Sequence, residues 1–492
     1  MMSDFTPLAY EDIDDARKPT LTEALVPVLV VVVSLGVGSG YLGLAPHAPL
    51  LWSITFTGLF ARYHLGYDWE RVSDAALAGL RMGLQAILIL FVIYGLIATW
   101  TSAGTIPGLM YYGLGALTPA VFLPVTAILA AVVAFAIGSS WTTVGTLGVA
   151  FVGIGSGLGI PLPMTAGAIV SGAYAGDKQS PLSDTTNLAA AVTNADLYDH
   201  INGMRLGTAI AFGLSVLAYA VLGVLIVDGG AANVTAISGP LAGSYALGPL
   251  VFLPLVVTFG LAFRGYPALP SLVAGVFAGA LTTIAVQGAS FTAAWDIFLN
   301  GTTPETGSEL VNNLLTTGGI AGSAWTIAVV VAALSLGGLL ERTGVLPTLT
   351  HHLTRAIWSP ESLVAGTGVA AIATNAFSAQ QYMSIVVPSV SLRTLYDEYD
   401  LNERDLSRAV EAAGTPTGPF FPWHAGAVFM TGALYTSQPG AISWWWAPYY
   451  FFGILSPLVL FGLVLAGRGY DRAGSATQPA APAANAAATD DD

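Results

Sequence analysis

Long apolar runs, separated by short polar segments, fill this chain from residue 24 to residue 467. A helix needs roughly 20 apolar residues to cross the hydrocarbon core of a bilayer, and many of these runs approach that length. Gly and Pro interrupt several runs in the middle, which is typical of membrane helices that unwind part of the way across. The pattern predicts an all-α polytopic membrane protein. Its candidate crossings are 24–44, 47–64, 79–101, 119–137, 141–158, 164–193, 206–227, 249–263, 268–286, 318–340, 361–377, 380–392, 404–436 and 448–467.

Composition supports this class and excludes others. Charged residues make up 9% of the 492 residues, whereas a soluble domain has about 25%. The net charge of -14 argues against nucleic-acid binding. The absence of Cys excludes disulfides and Cys-ligated metals. We interpret the acidic surplus as adaptation to a salt-rich cytoplasm, with compositional drift as the alternative.

The two halves of the chain resemble each other. The stretch AGTIPGL at 103–109 corresponds to TGVLPTL at 343–349, 240 positions later. Further matches lie 238 positions apart and pair Ser140 with Ser378, Gly176 with Gly414, and Pro181 with Pro419. A nearly constant offset favours a repeat, with a chance likeness of two apolar halves as the alternative.

The charges of the loops predict how the two halves are oriented. Basic residues concentrate in cytoplasmic loops, and equivalent loops of the two halves have opposite charge character. An odd number of crossings per half produces this reversal, so we predict two inverted-topology repeats, the common plan of secondary transporters. The predicted parts are a cytoplasmic tail at 1–20, a first repeat at 21–227, an extracytoplasmic linker at 228–248, a second repeat at 249–467 and a disordered cytoplasmic tail at 468–492.

The stretch GDKQSPLSDTTNL at 176–188 is polar although its surroundings are apolar. Its Gly and Pro predict a broken helix near mid-membrane, matched by a second break at 414–419. Carboxylates at that depth are costly and usually mark an ion or proton path, so Asp177 and Asp184 are the candidate carriers of Na⁺ or H⁺. We expect Asp184 to be the primary carrier. Lys178 is interpreted either as a counter-charge or as a side chain that snorkels to the surface.

Other polar groups near the two breaks are weaker candidates. Hydroxyls around Ser140 are able to face the broken helix, as are Asn375, Ser378, Gln380 and Gln381 in the second half, with helix packing as the alternative for all of them. Glu411 is either a second proton carrier or a partner of Arg408. His424 is interpreted first as a hydrogen-bonded structural residue, and the six His residues show no metal-binding spacing.

The stretch SGAYAGDKQSPLSDTTNLAAAV at 171–192 resembles the NhaC-type sodium/proton antiporter family. The stretches at 103–113, 138–148, 380–388 and 409–427 extend the resemblance, which covers about 24–467 in all. It implies a secondary antiporter that exchanges Na⁺ for H⁺ without a cofactor. The sites that it implies are Asp177, Asp184, Thr185 and Asn187 in the signature, and further Ser140, Thr143, Asn375, Ser378, Glu411 and Thr415. The chain departs from the usual pattern at Gln179 and His424, and this leaves the identity of the cation open.

Several functions remain open at this stage. The first is Na⁺/H⁺ exchange across the plasma membrane, with both termini cytoplasmic, the lipid bilayer as partner and a possible homo-oligomer. The second is exchange of small organic solutes, of malate/lactate or basic amino acid/ornithine type, with Lys178 or His424 contacting a carboxylate. A membrane hydrolase built on Ser140 and His424 lacks a nucleophile motif. The fourth is an ion channel, but broken inverted repeats favour a transporter with alternating access instead.

Overall fold

A computed structural model describes residues 8, 10–226, 234–353, 356–435, 444–468 and 470. Residue 227 of the predicted first repeat, the start of the predicted linker at 228–233, parts of the predicted second repeat at 354–355 and 436–443, and nearly all of the predicted C-terminal tail lie outside the described residues. Within the described part the chain is all-helical, as predicted, and its single β-bridge joins Thr302 and Thr317.

The described residues form 22 α-helices in chain order. The first half contains α1 Leu21–Leu35, α2 His47–Tyr63, α3 Trp69–Ser102, α4 Thr105–Ala116, α5 Pro119–Ile137, α6 Ser140–Gly157, α7 Leu162–Asp177, α8 Asp184–Thr193, α9 Leu197–Ile226 and α10 Val234–Ser244. The second half contains α11 Leu253–Phe263, α12 Ala268–Ala285, α13 Phe291–Asn300, α14 Glu309–Leu315, α15 Gly319–Gly322, α16 Ala324–Arg342, α17 Val345–Leu353, α18 Pro360–Ser378, α19 Gln381–Glu398, α20 Glu403–Ala413, α21 Ala425–Leu434 and α22 Phe451–Leu465. A short π-helix lies at Gly36–Tyr41, and short 3₁₀-helices lie at Pro249–Phe252, Thr415–Phe420 and Ala447–Tyr449.

Six described helical segments are long and apolar enough to cross a membrane, which makes the chain a multi-pass membrane protein. They are Leu21–Tyr41, Trp69–Ser102, Pro119–Ile137, Leu197–Leu225, Ala268–Ala285 and Ala324–Arg342. A seventh span is obtained if Val234–Ser244 and Pro249–Phe263, bent by 99°, are taken together. The remaining predicted crossings are shorter or more polar helices, and several of these surround the site described below.

Three segments that the sequence predicts as loops contain helices. Helix α4 occupies most of 102–118, α10 lies in the predicted linker, and α13 and α14 lie in 287–317. These helices have 7 to 12 residues, too few to cross a bilayer at 1.5 Å per residue. Their apolar residues pack against the bundle instead: Ile106 and Met110 of α4 and Ile237 of α10 are fully buried.

Three pairs of helices have the same length in the two halves. Helices α5 and α18 both have 19 residues, α6 and α19 both have 18, and α8 and α21 both have 10. The starting residues of each pair lie 241 positions apart. This spacing corrects the sequence matches made at 238. Ser140 is the first residue of α6, and Gln381 is the first residue of α19. The equivalent of Ser140 is therefore Gln381 and not Ser378. That the two copies are inverted in the membrane stays a prediction.

Small residues let α7 approach α5 closely. A Cβ atom added at Gly172 would overlap the carbonyl oxygen of Ala127, and one at Gly176 would overlap that of Ala131. Spacing of four residues places both glycines on one face of α7, the small-residue pattern that brings membrane helices together. Because Asp177 follows Gly176 directly, this packing fixes the depth at which the carboxylate is held.

Candidate functional site

The predicted break in the first half lies between α7 and α8. Helix α7 ends at Asp177 and α8 begins at Asp184, so the two candidate carboxylates stand at the two sides of a six-residue interruption, 178–183. Pro181 lies within the interruption, where it has no helical hydrogen bond to break. The hydroxyl of Ser183 accepts a hydrogen bond from the backbone N–H of Thr186 and so caps the start of α8.

Four helix N-termini converge on one cavity. The cavity is lined by the first residues, or the capping residues, of α6, α8, α19 and α21, and by parts of α3, α7 and α16. The lining residues are Gly83, Ala86, Ile89, Ser139, Ser140, Trp141, Asp177, Asp184, Thr185, Val330, Leu334, Gln380, Gln381, Tyr382, His424 and Ala425. Each helix N-terminus has a partial positive charge and unpaired N–H groups. The cavity is therefore able to hold carboxylates in the ionised form.

Asp177 is the buried carboxylate of this cavity. Its side chain is 2% exposed, and its Oδ2 accepts a hydrogen bond from the backbone N–H of Ser140, at 2.9 Å, at the N-terminus of α6. Its other oxygen, Oδ1, is buried without a hydrogen-bond partner in the described structure. An unpaired buried carboxylate oxygen is costly unless a cation or a donor reaches it, so Asp177 has one oxygen fixed by the protein and one available to cargo.

Asp184 has a different environment. It is exposed, and both of its oxygens have donors: the hydroxyl of Tyr382 donates to Oδ2, and the backbone N–H of Thr185 donates to Oδ1 at 2.9 Å. Asp177 therefore has one buried oxygen without a hydrogen-bond partner in the described structure, whereas both oxygens of Asp184 have one. Both residues line the same cavity. That Asp184 is the primary carrier stays a prediction.

Lys178 and Glu411 are buried charged residues close enough to interact electrostatically. The ammonium of Lys178 donates to the hydroxyl of Ser456 at 3.2 Å and lies over the ring of Phe452. Lys178 is 1% exposed, so the snorkelling interpretation is wrong. It interacts electrostatically with the carboxylates of Glu411 and Asp177, in agreement with the counter-charge interpretation.

Glu411 joins the two halves of the chain at the site. It is fully buried, and its Oε1 accepts a hydrogen bond from the hydroxyl of Thr185 at 3.2 Å, across 226 positions of sequence. The interpretation that Glu411 pairs with Arg408 near the surface does not fit this position, since Arg408 pairs with Asp405 at 2.9 Å. Glu411 instead lies beside the first break, where it accepts the hydrogen bond from Thr185.

Five residues that the resemblance points to support the breaks or lie beside them and do not line the cavity. Asn187 donates its amide to the carbonyl oxygens of Pro181 and Ser183, at 2.9 and 2.6 Å. Thr143 donates to the Ser139 carbonyl at 3.0 Å. Asn375 donates to the Gly414 carbonyl and, at 3.1 Å, to the Thr417 hydroxyl. Ser378 accepts from the backbone N–H of Gln380 at 3.3 Å, and Thr415 is buried in the turn after Gly414.

His424 is the capping residue of α21. Its Nδ1 accepts from the backbone N–H of Gly426 at 3.0 Å, so the ring proton is on Nε2, which donates to the side-chain oxygen of Asn375 at 3.1 Å. Both ring nitrogens are therefore engaged, in agreement with a structural role. The hydrolase alternative has no support, because His424 has no nitrogen left to activate Ser140.

Four further residues line the cavity at the starts of α6 and α19. For Gln380 and Gln381 the sequence left helix packing as the alternative, and it did not single out Trp141 and Tyr382. Their signal was present: Gln380 lies 241 positions after Ser139, and each residue precedes a helix of 18 residues. Among the described residues, no group of three or more His, Cys, Asp or Glu is arranged to hold a resident metal ion.

Broken helices beside carboxylates in a helical membrane protein are typical of secondary transporters. The chain belongs to the Na⁺/H⁺ antiporter family, whose model matches residues 20–177 and 172–468. The resemblance predicted from the 171–192 signature is thereby confirmed.

Curated relatives of the chain differ in what they exchange. The chain is 53% identical to the arginine/ornithine antiporter ArcD of Halobacterium salinarum, over 93% of this chain and 94% of that protein. It is 36% identical to the Na⁺/H⁺ antiporter NhaC of Alkalihalophilus pseudofirmus, over 93% and 98%. It is 33% identical to the malate-2H⁺/Na⁺-lactate antiporter of Bacillus subtilis, over 89% and 94%. The family is therefore one of antiporters, with a cargo that varies among its members.

Proposed function

We propose that this protein is a plasma-membrane antiporter for cationic amino acids, exchanging arginine for ornithine, with the cargo's side-chain cation held by Asp177. The observation that carries the proposal is the unpaired, buried Oδ1 of Asp177 in a cavity open enough to include residues of seven helices. A guanidinium or ammonium group supplies N–H donors, which complete the hydrogen bonding of this oxygen.

The walls of the cavity suit a cargo with an aliphatic stem. Trp141, Ile89, Val330 and Leu334 line it beside the carboxylates. Apolar walls contribute nothing to an ion such as Na⁺, which takes only oxygen ligands. They do bury methylene groups, each of which contributes about 0.8 kcal/mol when removed from water. Arginine and ornithine share a three-methylene stem that ends in a cation, so apolar walls beside a carboxylate match the chemistry of both.

The balance of buried charges favours a monovalent cation as cargo. Among the buried groups at the site, Asp177 and Glu411 contribute two negative charges when ionised, and Lys178 contributes one positive charge, whereas Asp184 is exposed. The remaining negative charge is costly within a membrane unless a cation or a proton neutralises it. A carrier changes its orientation readily only when cargo stabilises the states through which it passes. The empty site therefore moves poorly, and this is the condition for obligatory exchange.

The high identity to ArcD supports the same proposal. Two partners exchanged by one site must share a recognisable group, and arginine and ornithine share a cationic end and an amino acid end. Each binds the site in turn, which explains one-for-one exchange without a separate coupling ion.

Na⁺/H⁺ exchange is the second candidate, favoured by an oxygen-rich contact. The hydroxyl of Thr185 lies 3.2 Å from both Ser183 Oγ and Glu411 Oε1, next to Asp184. In this candidate, Na⁺ would bind these oxygens and displace a proton from the carboxyl group of Glu411 or Asp184. The predicted ligands Asn187, Thr143 and Asn375, however, do not line the cavity, so they would have to move to complete an oxygen shell there.

Transport by the purified protein distinguishes the two candidates. Proteoliposomes in molar KCl, loaded with ornithine, are given radiolabelled arginine, and uptake is compared with that in unloaded vesicles. The same vesicles carry a pH-sensitive dye and receive a Na⁺ pulse. We expect ornithine-dependent arginine uptake and no Na⁺-driven proton movement. Proton movement on Na⁺ addition without arginine uptake would establish the second candidate instead.

A further inference from the structure

Gln380 is a buried side chain whose donor has no partner. It is 4% exposed and lines the cavity. Its Oε1 accepts a hydrogen bond from the backbone N–H of Tyr382 at 3.1 Å, which fixes the orientation of the amide. The other end, Nε2, is buried without a hydrogen-bond partner in the described structure. Buried polar groups are nearly always bonded, so an unpaired amide donor in a cavity indicates an acceptor on the cargo.

The backbone holds this amide in place. Gln380 follows Ala379, which adopts the left-handed conformation at φ 56°, and the Ser378 hydroxyl bonds to both the N–H and the carbonyl of Gln380. The carbonyl of Ala379 accepts from the N–H of Ala425, so the start of α19 is tied to the start of α21. The predicted residue Ser378 therefore acts through Gln380, as a positioning residue.

The surroundings of the amide favour an anionic acceptor. Gln380 is the capping residue of α19, whose N-terminus has a partial positive charge. His424 and Ala425, at the start of α21, line the same cavity. A carboxylate oxygen is the acceptor that gains most from an amide donor and two helix N-termini. Na⁺ has no acceptor at all, and it would face the hydrogens of the amide.

We propose that Gln380 is a specificity-determining residue that binds the α-carboxylate of the amino acid cargo, in the same cavity in which Asp177 holds the side-chain cation. This inference rests on the proposed function and adds to it the group that makes the site select amino acids over amines. The unpaired Oε1 of Gln381, also in the cavity, is available to accept from the α-amino group.

Decarboxylated analogues test the assignment directly. Agmatine is arginine without its carboxylate and keeps the guanidinium. Each compound competes with radiolabelled arginine for uptake into ornithine-loaded proteoliposomes, and the ratio of the half-inhibitory concentrations of agmatine and arginine is measured. This ratio is independent of expression level and of the number of active molecules. We expect the unsubstituted protein to select arginine about 10- to 150-fold, the range for a hydrogen bond to a charged group.

The informative variant is Gln380→Glu. It keeps Oε1, and so keeps the cap on Tyr382 N–H, but it replaces the donor with a negative charge. The ratio is expected to collapse or to reverse in favour of agmatine. Gln380→Met lacks both the donor and the charge, and it is expected to lower the ratio toward one. It replaces Gln380→Glu as the test if the Glu variant does not fold. Asn312→Asp is the matched control, since it also replaces an amide with a carboxylate. Asn312 lies outside the cavity, and its Oδ1 accepts from the backbone N–H and the hydroxyl of Thr306 at 2.8 and 2.7 Å, which an Asp there still does.

The outcomes separate the two levels of the proposal. Arginine exchange with an unchanged ratio in a folded Gln380 variant, or an unsubstituted protein that does not discriminate, overturns the role of Gln380 and leaves the proposed function standing. An unsubstituted protein that exchanges neither arginine nor ornithine overturns both. A collapsed ratio at position 380 with a normal ratio in the Asn312→Asp control supports both.

Discussion

Substitution of Asp177 by Asn tests the assignment of the cation anchor. Asn keeps the shape of the side chain and an oxygen that accepts from the Ser140 N–H at the start of α6, so we expect the protein to stay folded. The change replaces the unpaired oxygen with an NH₂ group, which presents donors to a cationic cargo. It also removes the negative charge that the cargo neutralises. Binding is thus weakened by the loss of an attraction and by the gain of a repulsion.

The size of the effect follows from the burial of the site. Removing one partner of a buried, hydrogen-bonded charge pair costs about 2 to 5 kcal/mol. At about 1.4 kcal/mol for each factor of ten, this range corresponds to an affinity loss of roughly 30-fold to several thousand-fold. At arginine concentrations near the half-saturating value of the unsubstituted protein, uptake by Asp177→Asn should therefore be close to background.

The assay is ornithine-loaded uptake of radiolabelled arginine, with thermal stability in detergent measured in parallel. Asp199→Asn is the control, because Asp199 is exposed and outside the cavity and loses the same charge. Uptake by Asp177→Asn within threefold of the unsubstituted protein would refute the assignment. Loss of uptake in Asp184→Asn alone would transfer the anchor to Asp184, as the sequence had suggested.

Three further substitutions follow from the packing and charge of the site. Lys178→Met leaves Glu411 buried without its cation and should abolish uptake, whereas the double variant Lys178→Met/Glu411→Gln removes both charges and should recover folding and part of the activity. No recovery would contradict the electrostatic interaction between the two side chains. Gly172→Ala forces α5 and α7 apart and should destabilise the protein by about 1 to 3 kcal/mol; the control Gly213→Ala has open space around the added Cβ, and equal melting temperatures would contradict the close approach. Tyr382→Phe removes one donor from the exposed carboxylate and should weaken apparent affinity by about 10-fold or less; a complete loss of transport would show a larger role.

Much of the architecture was predictable because it depends on local sequence. Apolar runs and helix-breaking residues predicted the all-helical membrane fold and both interruptions, and the structure confirms the fold class. The loop assignments failed where short apolar helices, such as α4 and α10, are too short to cross the membrane but still bury their side chains. Periodicity does not distinguish such helices from linkers, because the distinction depends on what packs beside them.

The offset between the halves shows the limit of matching single residues. The matches around the breaks gave 238, whereas α5 and α18, α6 and α19, and α8 and α21 begin 241 positions apart. The second break runs from Gly414 to His424 and is longer than the first. Matches made within interruptions of different length give a different offset from the starts of these helices. The corrected register makes Ser183 and His424 equivalent caps, which explains a histidine at that position.

The sequence by itself determined which residues are polar within the membrane, and therefore that Asp177, Asp184, Lys178 and Glu411 had to be accounted for. Only the tertiary structure decided the surroundings of each of these side chains. It buried Lys178, bonded Glu411 to Thr185 across the two halves, and left one oxygen of Asp177 unpaired. The physical reason is that the cost of a charge depends on the groups around it. Those groups come from helices that are distant in the chain and meet only when the bundle packs.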